Sequence, residues 1–418
     1  MRGRWNQALV LARSVTLRAI FRTAGFNMVN TLLAGVGGIL VARVLGAGGR
    51  GDYAVLISWL GLALLVGELG QTASVTYHVA RFPDRARDYL ATSSRTLFLS
   101  GLIAIPIGLA AAPLLADGRS ARELGFKILA VALPIAFVGA SYTFALQANR
   151  IDWWNWVRFS QPAFWCFGLV ALLLVDEVKL SIILIVYVVS VAVQVVVAVV
   201  LCARAHLLGG RVDRTLVRSL LRYGAGQLAS ALPAGFTRQL DVIVLATAVT
   251  SAEVGKYSVA MSYSLLAFPL ASAVGSVVFP RQARAGGSDR SIVGRSVFGV
   301  LAVTTVVMTP LLLIAGWLLP AVFGTEFTES VHLLWYLSPG LVALAVNQVG
   351  GDLLRGMGKP HVVAVASWTS LVLLAGSLYL LVPAHGAVGA AISTGVAQLG
   401  AVAVLIVVLF FRKRTVAS

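Results

Sequence analysis

Between short polar stretches the chain runs apolar for about twenty residues at a time. Twelve such runs can be drawn, with ends set to within a few residues: 23–42, 53–76, 96–115, 125–147, 159–175, 180–202, 223–246, 255–279, 296–319, 331–351, 362–382 and 386–411. A helix of roughly 20 residues crosses a hydrocarbon core. None of the runs shows the ten-residue in/out alternation of a barrel strand. The pattern predicts an all-α integral membrane protein, a bundle of twelve transmembrane helices.

Composition agrees. Of 418 residues, 59% are hydrophobic and 12% charged, with a mean hydropathy of +0.90; a soluble domain carries about a quarter charged residues. The net charge of +17 would suggest nucleic acid in a soluble protein, but here the cations sort by side. Of the 33 Lys and Arg, 24 fall in the termini and in alternate loops, from Arg2 and Arg22 through Arg81–Arg87, Arg150, Arg204–Arg222, Arg281–Arg295 and Arg355 to Arg414. The other loops hold Arg43, Arg50, Arg119, Arg122, Lys127, Lys179 and Lys256, among most of the loop acids. The positive-inside rule puts the richer side, and both termini, in the cytoplasm. The basic excess is topological, so nucleic acid is not expected as a partner.

The segment before Arg22 sets Trp5, Leu9 and Val10 among arginines, as an interfacial helix would, and is too basic and too long to read as a cleaved signal. Trp153, Trp154 and Trp156 suit an interfacial aromatic belt. Cys166 and Cys202 fall inside apolar runs, and the five histidines have no ligand spacing. No cofactor, metal or disulfide framework is expected.

Gly46, Gly48 and Gly51 spell G-x-G-x-x-G, with Glu68 about twenty residues on, the outline of a dinucleotide-binding turn. That turn needs a strand before it and a βαβ unit around it. Here it joins two apolar runs, which predicts a hairpin whose glycines take positive φ.

Shifting the chain by 204 residues sets Gly51, Tyr53 and Val55 on Gly255, Tyr257 and Val259, and Pro106 on Pro310. Two sets of six runs with such matches predict a duplication into 1–205 and 206–418, joined by the Arg-rich loop near 203–222. Six is even, so the repeats are parallel, around a central cavity that holds the substrate site. The second copy drops the hairpin glycines and retains Gly-x-Tyr, which reads as a structural turn.

The segments ARVLGAGGRGDYAV (42–55), ELGQTASV (68–75), RQLDVIVLATAVTSAEVGKYSVA (238–260) and HGAVGAAIST (385–394) resemble the polysaccharide transporter branch of the multidrug/oligosaccharidyl-lipid/polysaccharide flippase superfamily, which includes the Wzx-type O-antigen flippases. The resemblance covers nearly the whole chain. It implies a transporter of the bacterial cytoplasmic membrane, not an enzyme. The implied cargo is a lipid-linked oligosaccharide, usually on undecaprenyl pyrophosphate, moved from inner to outer leaflet by alternating access. A polysaccharide polymerase and glycosyltransferases of the same pathway are the implied protein partners, besides the membrane lipids.

Charges within apolar runs mark candidate residues, because a charge at the bilayer centre costs about 2.5–3.5 kcal/mol on insertion scales. Glu68 sits within the second run. Arg238 and Asp241 sit within the seventh, at a spacing that allows either an ion pair or a shared cavity face. Arg22 and Arg95 stand near the inner ends of runs one and three, where arginine also snorkels to headgroups. Asn27 and Asn30 share a face, Gln227 enters run seven, and Asn347 and Gln348 adjoin Asp352, which suits an interfacial pair with Arg355. Pro106, Pro134, Pro233, Pro269 and Pro310 are expected to kink their helices. Absence of a nucleotide-binding loop leaves a proton or sodium ion at Glu68 or Asp241, or a passive gradient, as the driver. The competing readings are a cation-coupled multidrug antiporter of the same superfamily and a membrane sugar polymerase or glycosyltransferase, which needs a larger external loop.

Overall fold

A helix that reverses within one residue needs a position that tolerates left-handed backbone, and Gly46 supplies it. The computed structural model describes residues 2–174, 178–265, 290–357 and 359–407. Its first helix, α1 (Arg2–Gly67), has non-helical angles at Gly46 (φ 65°, ψ −173°), in the region glycine adopts at little cost. It is therefore two limbs meeting at an elbow. Of the glycines in the expected hairpin, only Gly46 takes a positive φ. Helix flanks it on both sides, so no dinucleotide-binding unit forms there.

The other helices are α2 (Gln71–Arg81), α3 (Ala86–Leu115), α4 (Ser120–Asn149), α5 (Ile151–Leu172), α6 (Leu180–Arg204), α7 (Arg214–Thr237) and α8 (Leu240–Ala248). They are followed by α9 (Ser251–Ser264), α10 (Arg290–Phe323), α11 (Ser330–Gly356) and α12 (Pro360–Ile406). No strand occurs among the described residues. The apolar stretches 22–67 and 361–406 are 46 residues each, twice what a bilayer core requires. Each also contains an elbow, at Gly46 and at Gly386 (φ 53°), so each makes two crossings. Along α10, Phe298, Val306, Leu313 and Trp317 are each about 70% exposed. A face of that kind is costly in water and ordinary against acyl chains.

Two expectations about the spans need correction. The second and seventh runs, 53–76 and 223–246, are not continuous helices. One is interrupted at Glu68–Gly70, the other at Arg238–Gln239. The eighth run begins in α9, and its remainder from 266, with Pro269, lies outside the described residues. The proline positions Pro106, Pro134, Pro233 and Pro310 all fall inside helices.

The fold divides into two compact units. Unit 1 comprises Met1–Gly37 and Ala63–Ala229; unit 2 comprises Gly38–Leu62 and Ser230–Ser418. Relative to halves at 1–205 and 206–418, the units exchange residues 38–62 and 206–229.

Unit 1 is centred on Val75, Leu90, Leu146, Val157 and Leu220. Trp154 belongs to this core, 9% exposed, so of the three tryptophans expected at the interface this one is a packing residue. The loop before α7 is held down on α3: Asp88 accepts from the Arg211 N–H (2.8 Å) and Asp213 from Arg85 (2.7 Å). Of the expected loop 203–222, residues from Arg214 on are already helix α7.

Unit 2 is centred on Ala345, Val349, Leu353, Ala366, Ala401 and Leu405. Here the retained Gly-x-Tyr proves to be a packing device and not a turn. Gly51 and Gly255 lie within α1 and α9, which touch at those positions.

Candidate functional site

Both interruptions fall on ionisable residues, and each can be built from its own unit. In unit 1 the second limb of α1 ends at Gly67, and Glu68, Leu69 and Gly70 form a turn before α2. Leu69 has φ 53° and Gly70 φ 67°. A branched side chain in the left-handed region costs about 1–2 kcal/mol, and such strain gathers at functional sites. The turn is locked from the α7 side: a Cβ on Gly70 would lie 2.1 Å from the Gly224 carbonyl oxygen. The Gly67 carbonyl accepts from Ser100 (2.7 Å). Glu68 itself is half-buried and has no side-chain hydrogen bond or ion pair among the described residues. One turn on, buried Gln71 accepts from Ser93 (3.0 Å), which in turn meets Ser141 (2.9 Å).

In unit 2 the chain breaks at Arg238–Gln239 (Gln239 φ −120°, ψ −23°) before α8. The break removes the common helical face on which Arg238 and Asp241 were expected to sit. Arg238 is exposed and Asp241 buried, and no ion pair joins them among the described residues. Asp241 occupies the first turn of α8, where the helix dipole favours an acid. It accepts from Tyr257 Oη at 2.7 Å and from the Val242 N–H at 2.8 Å. Tyr257 Oη also meets Thr394 Oγ1 at 3.2 Å. A buried carboxylate with hydroxyls around it can take up a proton or a small cation.

The remaining candidates divide. Arg22 and Asn27 of α1 meet α5: Arg22 pairs with Asp152 (3.2 Å) and Arg158 donates to Asn27 (3.0 Å). Both partners of the ion pair are about half exposed, so it contributes little. Asn30 has a buried Oδ1 without a partner. Arg95 is exposed on a groove of about 390 Å³ shared with Arg87, Ser94 and Tyr142. Gln227 is exposed on α7. Asn347 donates to Gln398 (3.2 Å), Gln348 is exposed, and Asp352 pairs with Arg355 (2.9 Å) as expected.

Two residues escaped the sequence reading. Tyr257 carried a signal, its match with Tyr53 under the repeat shift. Arg50, counted as a loop cation, is buried in unit 2.

Comparison with known proteins places this geometry. The family model described as "Polysaccharide biosynthesis protein" matches residues 16–286. A protein of Haloferax volcanii described as a probable low-salt glycan biosynthesis flippase, Agl15, is 25% identical over 182 residues, covering 42% of this chain and 39% of that protein. An uncharacterized membrane protein of Methanocaldococcus jannaschii is 25% identical over 194 residues, covering 44% and 37%. The matches thus span less than half the length of these curated relatives. Among solved structures, the lipid II flippase MurJ in an inward closed conformation superposes with TM-score 0.79 at 12% identity, over 92% of this chain and 87% of that one. An inward-facing multidrug resistance MATE transporter gives 0.76 at 15%, over 91% and 93%. The chain has the fold of the multidrug/oligosaccharidyl-lipid/polysaccharide flippase superfamily and belongs to the polysaccharide biosynthesis protein family.

Proposed function

We propose that the protein is a non-enzymatic flippase that carries a lipid-linked oligosaccharide, on a polyprenyl pyrophosphate such as the undecaprenyl carrier, from the inner to the outer leaflet. The single observation that carries this reading furthest is Glu68, an acid without a side-chain partner among the described residues, in a broken spanning helix of a polysaccharide-family chain. Intramembrane acids of that kind serve transport pathways by default, and interrupted helices frame binding sites in transporters. The anionic headgroup would cross by alternating access while its tail stays in lipid. Glu68 or Asp241 takes the coupling proton or sodium ion. Membership of the family and the glycan flippase description of the Haloferax relative support the cargo class. The distribution of cations supports a cytoplasmic-membrane setting with both termini inside, and polymerase and glycosyltransferases are the expected pathway partners.

The test is reconstitution. Purified protein in liposomes is offered a fluorescent lipid-linked oligosaccharide, and arrival in the opposite leaflet is measured with and without proton and sodium gradients. The reading expects protein-dependent arrival. Export of a dye cation with no movement of any prenyl-linked sugar would replace it with the multidrug antiporter. Unchanged ion dependence in both Glu68→Gln and Asp241→Asn would remove the coupling assignment.

A further inference from the structure

Arg50 follows the elbow at Gly46 by four residues, where the sequence places a loop cation. Its side chain goes elsewhere. The residue is 7% exposed, and Nη2 donates to Ser262 Oγ of α9 at 3.3 Å. A Cβ on Gly38 would lie 4.0 Å from that same nitrogen. Gly38 precedes the elbow by eight residues, so the guanidinium lies beside the first limb, on the other side of the elbow from its own backbone. The Tyr53 ring lies 5.6 Å from its Cζ, within range of a cation–π contact.

Among the described residues the guanidinium meets no anion. Its Nε–H is buried without an acceptor, and no carboxylate among the described residues pairs with it. The Ser262 hydroxyl donates to the Ser258 carbonyl (2.7 Å), so Ser262 faces Arg50 as a neutral acceptor only. A buried charge persists where a counter-charge and hydrogen bonds meet it. A guanidinium edge with a free Nε–H presents the fork that binds two oxygens of one oxyanion.

We propose that Arg50 is a phosphoryl-binding site in unit 2, with Ser262 fixing one arm of the guanidinium and Tyr53 its plane. That the phosphoryl group is the diphosphate of the cargo rests on the function proposed above; the binding of the anion does not.

The experiment uses the full chain in nanodiscs of neutral phosphatidylcholine, titrated calorimetrically with inorganic pyrophosphate. Arg50→Gln weakens binding at least tenfold. Arg50→Lys, which keeps the charge but not the fork, falls between Arg50→Gln and wild type. Ser262→Ala weakens it severalfold and covers the case in which Arg50→Gln does not fold. Arg43→Gln, whose parent side chain is engaged by the Val322 carbonyl, leaves it unchanged. No binding by wild type, or equal binding by Arg50→Gln and wild type, overturns the site. In a second arm, nanodiscs carrying either polyprenyl diphosphate or phosphatidylglycerol compete with pyrophosphate. Competition by the diphosphate carrier supports the cargo; stronger competition by phosphatidylglycerol overturns that assignment in favour of a phospholipid. Arg50-dependent pyrophosphate binding without any lipid-linked sugar transport would sink the proposed function and leave the site standing.

Discussion

Gly51 of α1 and Gly255 of α9 meet backbone to backbone. A Cβ on Gly51 would sit 1.8 Å from the Ser251 carbonyl oxygen, and one on Gly255 would sit 2.0 Å from that of Ala47. Ala47-x-x-x-Gly51 thus faces Ser251-x-x-x-Gly255, small residues on both sides. Inside lipid there is no hydrophobic drive between helices, so close approach of small residues is what holds such a crossing. These are the two glycines that the 204-residue shift superposes, and the tyrosines two residues on, Tyr53 and Tyr257, are buried in both copies. The repeat is matched at the place where its copies touch within unit 2.

Valine at either glycine therefore requires the two backbones to part. Overpacking of a close-packed site costs about 1–3 kcal/mol, more where the backbone must shift. Gly51→Val and Gly255→Val are each expected to lower the thermal midpoint of the detergent-solubilised protein by several degrees. Gly48→Ala is the control: nothing lies within 4 Å of its Cβ, and alanine is worth up to about 1 kcal/mol more than glycine in a helix. A Gly51→Val protein that melts with wild type would mean the crossing is not held there.

The break at Glu68–Gly70 offers a second comparison. Gly70 and Gly118 both have positive φ, 67° and 71°, but Gly118 has open space around its Cβ, whereas Gly70 faces the Gly224 carbonyl at 2.1 Å. Alanine at Gly118 bears the backbone penalty alone, about 1–2 kcal/mol. At Gly70 it bears a backbone clash as well, so Gly70→Ala is expected to be clearly the more destabilising in thermal unfolding. Equal losses would place the α2–α7 approach outside the determinants of stability.

Length and hydropathy made the helical membrane fold legible, because a spanning helix is a composition as much as a conformation. The elbow was legible too, since Gly46 has few alternatives as the residue that turns. The breaks were hidden. Gly67 and Gly70 flank Glu68 and can stop a helix, but they sit inside an unbroken apolar run; Leu69 is a good helix former, and only its surroundings hold it at φ 53°. A three-residue spacing puts Arg238 and Asp241 on one face only of an unbroken helix, and the turn at Arg238–Gln239 removes that condition. Arg50 misled for a related reason: its backbone lies in α1 one turn past the Gly46 elbow, where the run boundaries suggest a loop, and its long side chain is buried within unit 2.

The loop before α7 predicts a pH effect. Asp213 accepts from the Thr215 hydroxyl (2.6 Å) and N–H (2.8 Å) and from Arg85 (2.7 Å). The Thr215 bonds first, then Arg85, hold its carboxyl below the usual range. A depressed folded pKa gives stability that is present above the unfolded value, near 3.9, and lost as pH falls through the folded one. Asp213→Asn should therefore open the Arg211–Arg214 stretch to trypsin at neutral pH. The difference in thermal midpoint between Asp213→Asn and wild type should close as pH is lowered below about 4. A gap that stays constant with pH would assign the effect to packing.

Proton bookkeeping orders the last set of variants. Tyr257 has one hydroxyl hydrogen, and the shorter contact, 2.7 Å, gives it to Asp241. In the 3.2 Å contact with Thr394, the threonine must then be the donor, sharing its hydrogen with the Ala390 carbonyl at 3.1 Å. Thr394→Val removes a shared donor from a tyrosine that keeps its main bond, which costs about 0.5–1.5 kcal/mol. Tyr257→Phe strips a buried carboxylate of a hydroxyl donor and leaves it the Val242 N–H, at about 1.5–3 kcal/mol for a bond to a charged group. Asp241→Asn keeps an acceptor for Tyr257, so combining it with Tyr257→Phe should cost less than the two single losses together. Chemical unfolding of the four variants checks the order. Thr394→Val proving the costliest single change would reverse the donor assignment.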